Sequence, residues 1–163
     1  AAIQAGENFS ESTFASRLTC HHTKIQDFAF PKMFDLIVSN PPYFSDHLKS
    51  NFKERNQALH TDTLSFEDLL EQVLRFLKKS GKFWLILPPY QCRVFQDLAQ
   101  EKGLYPNHFF YLKDKPDKPI QRHLVEFSFE EMGLKNSNIL IKNQDSSPNE
   151  SYTNLASGFL LNF

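Results

Sequence analysis

The chain has 163 residues, with 18 lysines and arginines against 19 acidic residues and a formal net charge of −1. That balance excludes the global basic signature common among nucleic-acid binders but leaves room for local basic patches. A hydrophobic content of 40%, including 17 phenylalanines, excludes a disordered chain and suits one domain with a real core.

Residues 1–14 read as a helix and residues 17–25 as a strand. Phe34–Ser39 is a second strand, and its continuous apolar character predicts a buried, parallel one. Residues 44–64 are polar and aperiodic, and read as a long loop. A helix is predicted over 65–79. Ser65 stands in N-cap position with Asp68 three residues on, and Phe66, Leu69, Leu70, Val73, Leu74 and Leu77 repeat at helical spacing. Lys78 and Lys79 suit its C-terminal dipole, and Gly81 is the expected stop. A strand over 82–87 follows, broken by Pro88 and Pro89, and then a helix over 90–102 stopped by Gly103. Strands are predicted near 105–112 and 124–129, where Val125, Phe127 and Phe129 alternate with Glu126 and Ser128. A closing pair is predicted near 138–142 and 159–163, with a polar turn over 143–152 between them. The alternation of strand and helix predicts an α/β fold with a mostly parallel sheet and a C-terminal antiparallel hairpin. Ligands then bind at the carboxyl ends of the strands.

Asn40-Pro41-Pro42-Tyr43 stands at such an end. Two prolines fix φ twice and remove two donors, and the first pushes Asn40 out of helical geometry. A side-chain amide, free carbonyls and an aromatic ring remain. The exocyclic amine of adenine, or an amide nitrogen, is a weak nucleophile because its lone pair is delocalised. The Asn40 side-chain oxygen and the Pro41 carbonyl can accept its two hydrogens, so that positioning carries most of the work. Tyr43 can stack on a base. The plain alternative is a proline-rich turn.

The run "FDLIVSNPPY" resembles motif IV of the Rossmann-like, class I, S-adenosylmethionine-dependent methyltransferases that modify amine or amide nitrogens. Flanking residues narrow the resemblance: Gln4, Ala5, Glu7 and Asn8 in a first helix, Ile25-Gln26-Asp27-Phe28, and Arg55, Ala58 and His60 after the elbow. Together they resemble the bacterial tRNA adenine-N6 methyltransferases acting on the adenine just 3′ of a valine tRNA anticodon. The similarity runs along essentially the whole chain. It implies methyl transfer from S-adenosylmethionine to an adenine N6 amine, with tRNA as partner through its anticodon loop. Asn40, Pro41, Pro42 and Tyr43 are then the catalytic residues, and Ile25 and Asn40 touch the cofactor. Tyr43 and Arg55 contact the substrate. Many such enzymes have an acidic residue just before that isoleucine, where this chain has Lys24.

The resemblance also implies an incomplete domain. The first residue is Ala1, and the five glycines, at 6, 81, 103, 133 and 158, include no glycine-rich cofactor turn. Residues 1–163 are therefore expected to be a single partial methyltransferase domain, its C-terminal two-thirds, with the first strands missing. Such a piece should bind cofactor poorly and be inactive alone, and it should self-associate or rearrange through exposed strands.

Two basic stretches are further candidates for tRNA phosphates: Lys49, Lys53 and Arg55, and then Lys113, Lys115, Lys118 and Arg122, with Lys118 and Arg122 as the substrate-binding choices. Ordinary solvated surface is the alternative for both. Tyr90, after the second proline pair, is a candidate pocket residue. No metal is expected, because Cys20 and Cys92 lack ligand spacing and His21 and His22 on a strand point to opposite faces. No apolar run approaches the ~20 residues of a membrane span. Isolated thiols fit a reduced, cytoplasmic protein. Two rival readings stay open: a protein glutamine N-methyltransferase using the same motif, and a non-catalytic RNA-binding module with a methyltransferase-like fold.

Overall fold

The computed structural model describes residues 2–42 and 64–158. The chain divides into two compact units, Ala1–Pro31 and Lys32–Phe163.

In the first unit, helix α1 spans Ala2–Glu11 and has no buried residue. Single 3-10 turns follow at Ala15–Arg17 and Ile25–Asp27. The strand predicted over 17–25 is not formed. Backbone at Leu18 and Lys24 is extended, but no described strand pairs with it, and extended backbone without a ladder is not sheet. Rings hold this segment instead. His21 meets Phe28 edge-on at 5.1 Å, and Phe28 stacks on Phe30 at 5.9 Å.

The second unit is built on a five-stranded sheet. Its elements in chain order are β1 (Phe34–Ser39), α2 (Phe66–Phe76), β2 (Leu77–Leu87), α3 (Pro89–Glu101), β3 (Tyr105–Lys113), β4 (Ile120–Ser128), β5 (Lys135–Leu140) and α4 (Glu150–Ala156). The strand order is β1-β2-β4-β3-β5. β1 runs parallel to β2, β4 is antiparallel to both β2 and β3, and β5 runs parallel to β3. The α/β class and the Rossmann-like architecture are as expected, but the described sheet is mixed rather than mostly parallel, with β1–β2 and β3–β5 parallel and β2–β4 and β3–β4 antiparallel; the antiparallel hairpin is β3–β4. The partner expected at 159–163 lies outside the described residues.

Helices α2 and α3 cover one face. Leu69, Leu70 and Val73 of α2 and Cys92, Phe95 and Ala99 of α3 close over Phe83, Leu85 and Leu87 of β2 and Val125 and Phe127 of β4. Phe95 packs at 5.9 Å from Phe83 and 5.6 Å from Phe127. Each such ring, fully buried, contributes about 1.5–3 kcal/mol. On the far face Trp84 lies against Phe110 at 5.8 Å, and Lys82 Nζ bonds both oxygens of Glu126, at 3.0 and 2.9 Å.

Local chemistry explains the helix bounds. Ser65 Oγ accepts from the Asp68 N–H at 3.0 Å, which caps α2 as its sequence implied. The helix stops at Phe76, short of the 65–79 expected, and β2 begins at Leu77. Leu77 is extended and fully buried, and it pairs with Phe34. Burying Phe76 and Leu77 in the core outweighs helix propensity through the two lysines. Gly81 lies inside the strand and does not terminate the helix. Pro88 and Pro89 start α3, where a missing N–H costs nothing. Gly103, at φ 75°, lets the Leu104 N–H reach the Ala99 carbonyl at 2.9 Å.

Two further expectations are corrected. β1 is a parallel strand but not a buried one. It lies at the sheet edge among the described residues, with Leu36 and Val38 exposed. The predicted turn over 143–152 contains the start of α4, capped by Asn149 Oδ1 accepting from the Ser151 N–H at 3.1 Å.

Candidate active site

The elbow leaves the carboxyl end of β1. Asn40 is exposed, Pro41 is buried and Pro42 is exposed again. Ser39 is the last paired residue of β1, opposite Leu85. Counting on along both strands brings the elbow level with Ile86, Leu87 and Pro88. The two proline pairs thus end adjacent parallel strands at one height. Tyr90, 64% exposed, stands in the first turn of α3 beyond the second pair.

The antiparallel hairpin brings a second group to the same end of the sheet. Leu87 pairs with His123, His123 with Tyr111, and Lys113 with Ile120. The basic loop between β3 and β4 therefore leaves the sheet at the end where Asn40 stands. With strands about 4.8 Å apart, β4 lies roughly 10 Å and β3 roughly 14 Å across from β1. Lys118 is exposed and has Asp117 at 3.9 Å. Arg122 is half-buried and donates to the Gln121 carbonyl at 2.8 Å. The loop is tied to the turn after β5. Ile141 N donates to the Lys113 carbonyl at 3.0 Å, Lys142 N to the Asp114 carbonyl at 2.8 Å, and Lys115 Nζ to Ser146 Oγ at 2.6 Å.

His123 is a residue that sequence reasoning missed. It sits edge-on to Tyr111 at 5.0 Å and to Phe109 at 5.6 Å. Burial, and then the nearby Arg93 charge, hold its pKa below 6.5. Tyr111 Oη donates to Asn136 Oδ1 at 2.7 Å. No motif marks these residues, and only strand pairing across β2, β4 and β3 brings them to the elbow's end of the sheet. Cys92 is buried in the core, and burial pushes its thiol up to about 12, so it is no nucleophile.

Tyr43, Lys49, Lys53, Arg55, Ala58 and His60 lie outside the described residues. Ile25 belongs to the first unit, where its carbonyl accepts from the Phe28 N–H at 3.2 Å. Asn40 and Ile25 are therefore described on separate units. Among the described residues, the Asn40 amide is exposed at the strand end, a group of the kind that could accept from an amine beside S-adenosylmethionine, and no glycine-rich turn is present for the cofactor's other end. Also among the described residues, no three His, Cys, Asp or Glu gather as a metal site, and no helix is long and apolar enough to cross a membrane.

A parallel β1-α2-β2 unit with an amide-bearing proline elbow at its carboxyl end defines a methyltransferase of the Rossmann-like class. The fold agrees with the crystal structure of a predicted O-methyltransferase from Agrobacterium tumefaciens, at a TM-score of 0.67 and 16% identity, over 93% of this chain and 70% of that one. Residues 3–102 match the Eco57I restriction-modification methylase family. The tRNA1(Val) (adenine(37)-N6)-methyltransferase of Pseudoalteromonas translucida is 36% identical over 97% of this chain and 68% of its own length. Its counterpart in Parabacteroides distasonis is 37% identical over 99% of this chain and 69% of its own length. The chain belongs to the tRNA1(Val) (adenine(37)-N6)-methyltransferase family.

Proposed function

We propose that this protein transfers a methyl group to the N6 amine of an adenine in tRNA, the adenine just 3′ of the anticodon, in the cytoplasm. The observation that carries this is the elbow, with an exposed Asn40 above a buried Pro41 at the carboxyl end of β1. S-adenosylmethionine, when bound, supplies an electrophilic methyl group. The Asn40 side-chain oxygen and the Pro41 carbonyl accept the two hydrogens of the amine and turn its lone pair toward the reacting carbon. Pro41 and Pro42 hold both acceptors rigid, so little reorganisation accompanies reaction. Tyr43 stacks on the base, a contact worth roughly 1–3 kcal/mol. In a loop the adenine leaves its stack at less cost than in a duplex. Ile25 lines the cofactor's adenine pocket with its backbone, and Arg55, Lys118 and Arg122 take phosphates of the anticodon arm.

The exposed edge of β1, with Leu36 and Val38 at 55% and 68% exposure, supports self-association through that strand. Sedimentation of the protein as a dimer, reduced to monomer by Val38→Lys, is the expected behaviour.

The reaction is tested by incubating the full-length protein with methyl-labelled cofactor and an unmodified valine tRNA transcript, then digesting to nucleosides. Label in N6-methyladenosine is expected. Label found only in a protein glutamine would overturn the assignment.

A further inference from the structure

Asn40 reaches the far face of the sheet only because alternation along β1 breaks at Asp35, where its register against β2 shifts. Phe34 pairs with Leu77, but Leu36 pairs with Lys82. Two steps along β1 thus match five along β2, and three extra residues bulge out of β2 between these pairs. Below the bulge, Phe34 lies on the helix-covered face, edge-on to Phe76 at 6.3 Å. Above it, Ile37 packs against the core and Pro41 is buried, while Leu36, Val38 and Asn40 are exposed. Strict alternation from Phe34 would instead put residues 36, 38 and 40 under the helices.

The bulge is held closed at three points. A Cβ on Gly81 would stand 2.8 Å from Leu77 Cδ1 and 3.0 Å from the carbonyl oxygens of Asp35 and Lys78, so only glycine fits without displacing β1. Lys78 Nζ donates to Asp35 Oδ1 at 2.7 Å, clasping the bulge to β1. Lys79 Nζ lies 4.1 Å above the Phe129 ring.

We propose that the break in β1 at Asp35, held in place by the bulged segment of β2, sets which face of the sheet Asn40 occupies, with Gly81, Lys78 and Asp35 as positioning residues for the amine-binding elbow. The proposal rests on the reading of Asn40 as the amine acceptor.

Thiol labelling tests the geometry without any turnover. In a Cys20→Ser background, with Cys92 buried and silent, single Ile37→Cys and Val38→Cys variants are treated with a thiol reagent. The thiol at 38 should react at least about ten-fold faster than that at 37, because exposure controls access. Adding Gly81→Val should collapse that ratio toward one. Alone, Gly81→Val should lower kcat for methyl transfer about ten-fold or more at unchanged tRNA affinity. Ser80→Ala, an exposed change in the same bulge, should alter neither. If Gly81→Val does not fold, the exposed pair decides. Lys78→Ala should lower kcat roughly two- to five-fold, the reach of a surface ion pair, and the double exchange Asp35→Lys with Lys78→Asp should restore it. An unchanged labelling ratio and kcat in a folded Gly81→Val protein would overturn the proposal. So would failure of the double exchange to rescue a loss caused by Lys78→Ala. Wild-type turnover in Asn40→Ala would instead overturn the reading of the site, and the labelling ratio would still judge the bulge.

Discussion

Leu87, the last residue of β2, pairs with His123 near the start of β4. Through that one pair, the end of the parallel β1–β2 unit and the mouth of the antiparallel β3–β4 hairpin share one rim of the sheet. The elbow at Asn40 and the basic loop between Lys113 and Ile120 both open on it. Separate stretches of sequence, one offering acceptors and one offering cations, are thus set on the same side of a rigid scaffold.

The basic stretch from Lys113 to Arg122, the β3–β4 loop and the start of β4, should contribute affinity without contributing chemistry. Lys118→Ala and Arg122→Ala are each expected to weaken tRNA binding and reduce the slope of log affinity against log salt by about one. kcat at saturating tRNA should stay within about two-fold. Filter binding over a salt series checks this, and an unchanged slope in both variants would remove the stretch from the interface.

His123 makes stability depend on pH. Its folded pKa lies below its ordinary 6.5, chiefly through burial and secondly through Arg93. The unfolded chain therefore binds more protons in the window from about pH 6.5 down through the folded pKa, and stability falls as pH falls through it. His123→Gln should flatten that part of the profile. Thermal unfolding at steps between about pH 7.5 and 5.5 measures it, and parallel curves for both proteins would count against this role.

The Ser65 cap is a local contribution. Ser65→Ala removes the acceptor for the Asp68 N–H and should cost about 1 kcal/mol, lowering Tm by roughly 2–4 °C. Ser65→Asp, which keeps an acceptor, should recover most of the loss. Denaturant unfolding of the three proteins decides it.

Much of this was legible in the residues, and the reasons are physical. Apolar FDLIVS ending at two prolines marked β1 and its elbow. Ser65 with Asp68 marked the start of α2, and Gly103 marked the end of α3, because caps and breakers act over a few residues. What sequence did not show depended on distant partners. Nothing in 17–25 reveals that its extended backbone finds no described ladder, and nothing in FDLIVS reveals that β1 lies at an edge of the sheet formed by the described residues. The start of β2 at Leu77 is set by its pairing with Phe34, 43 residues earlier, against a helical pattern that runs on locally. His123 escaped notice for the same reason, since its neighbours come from β2, β3 and α3.

The central claim is that Asn40 orients the amine, while most of the cofactor and tRNA affinity comes from other residues. The most direct measurement compares the full-length protein with its Asn40→Ala variant, reading N6-methyladenosine formed on valine tRNA together with calorimetric cofactor affinity. A fall in kcat of about 10²–10³-fold, the scale expected for losing one preorganised hydrogen-bonding group at a reacting centre, with cofactor affinity largely unchanged, is predicted. Near-normal N6-methyladenosine from the variant would contradict the account.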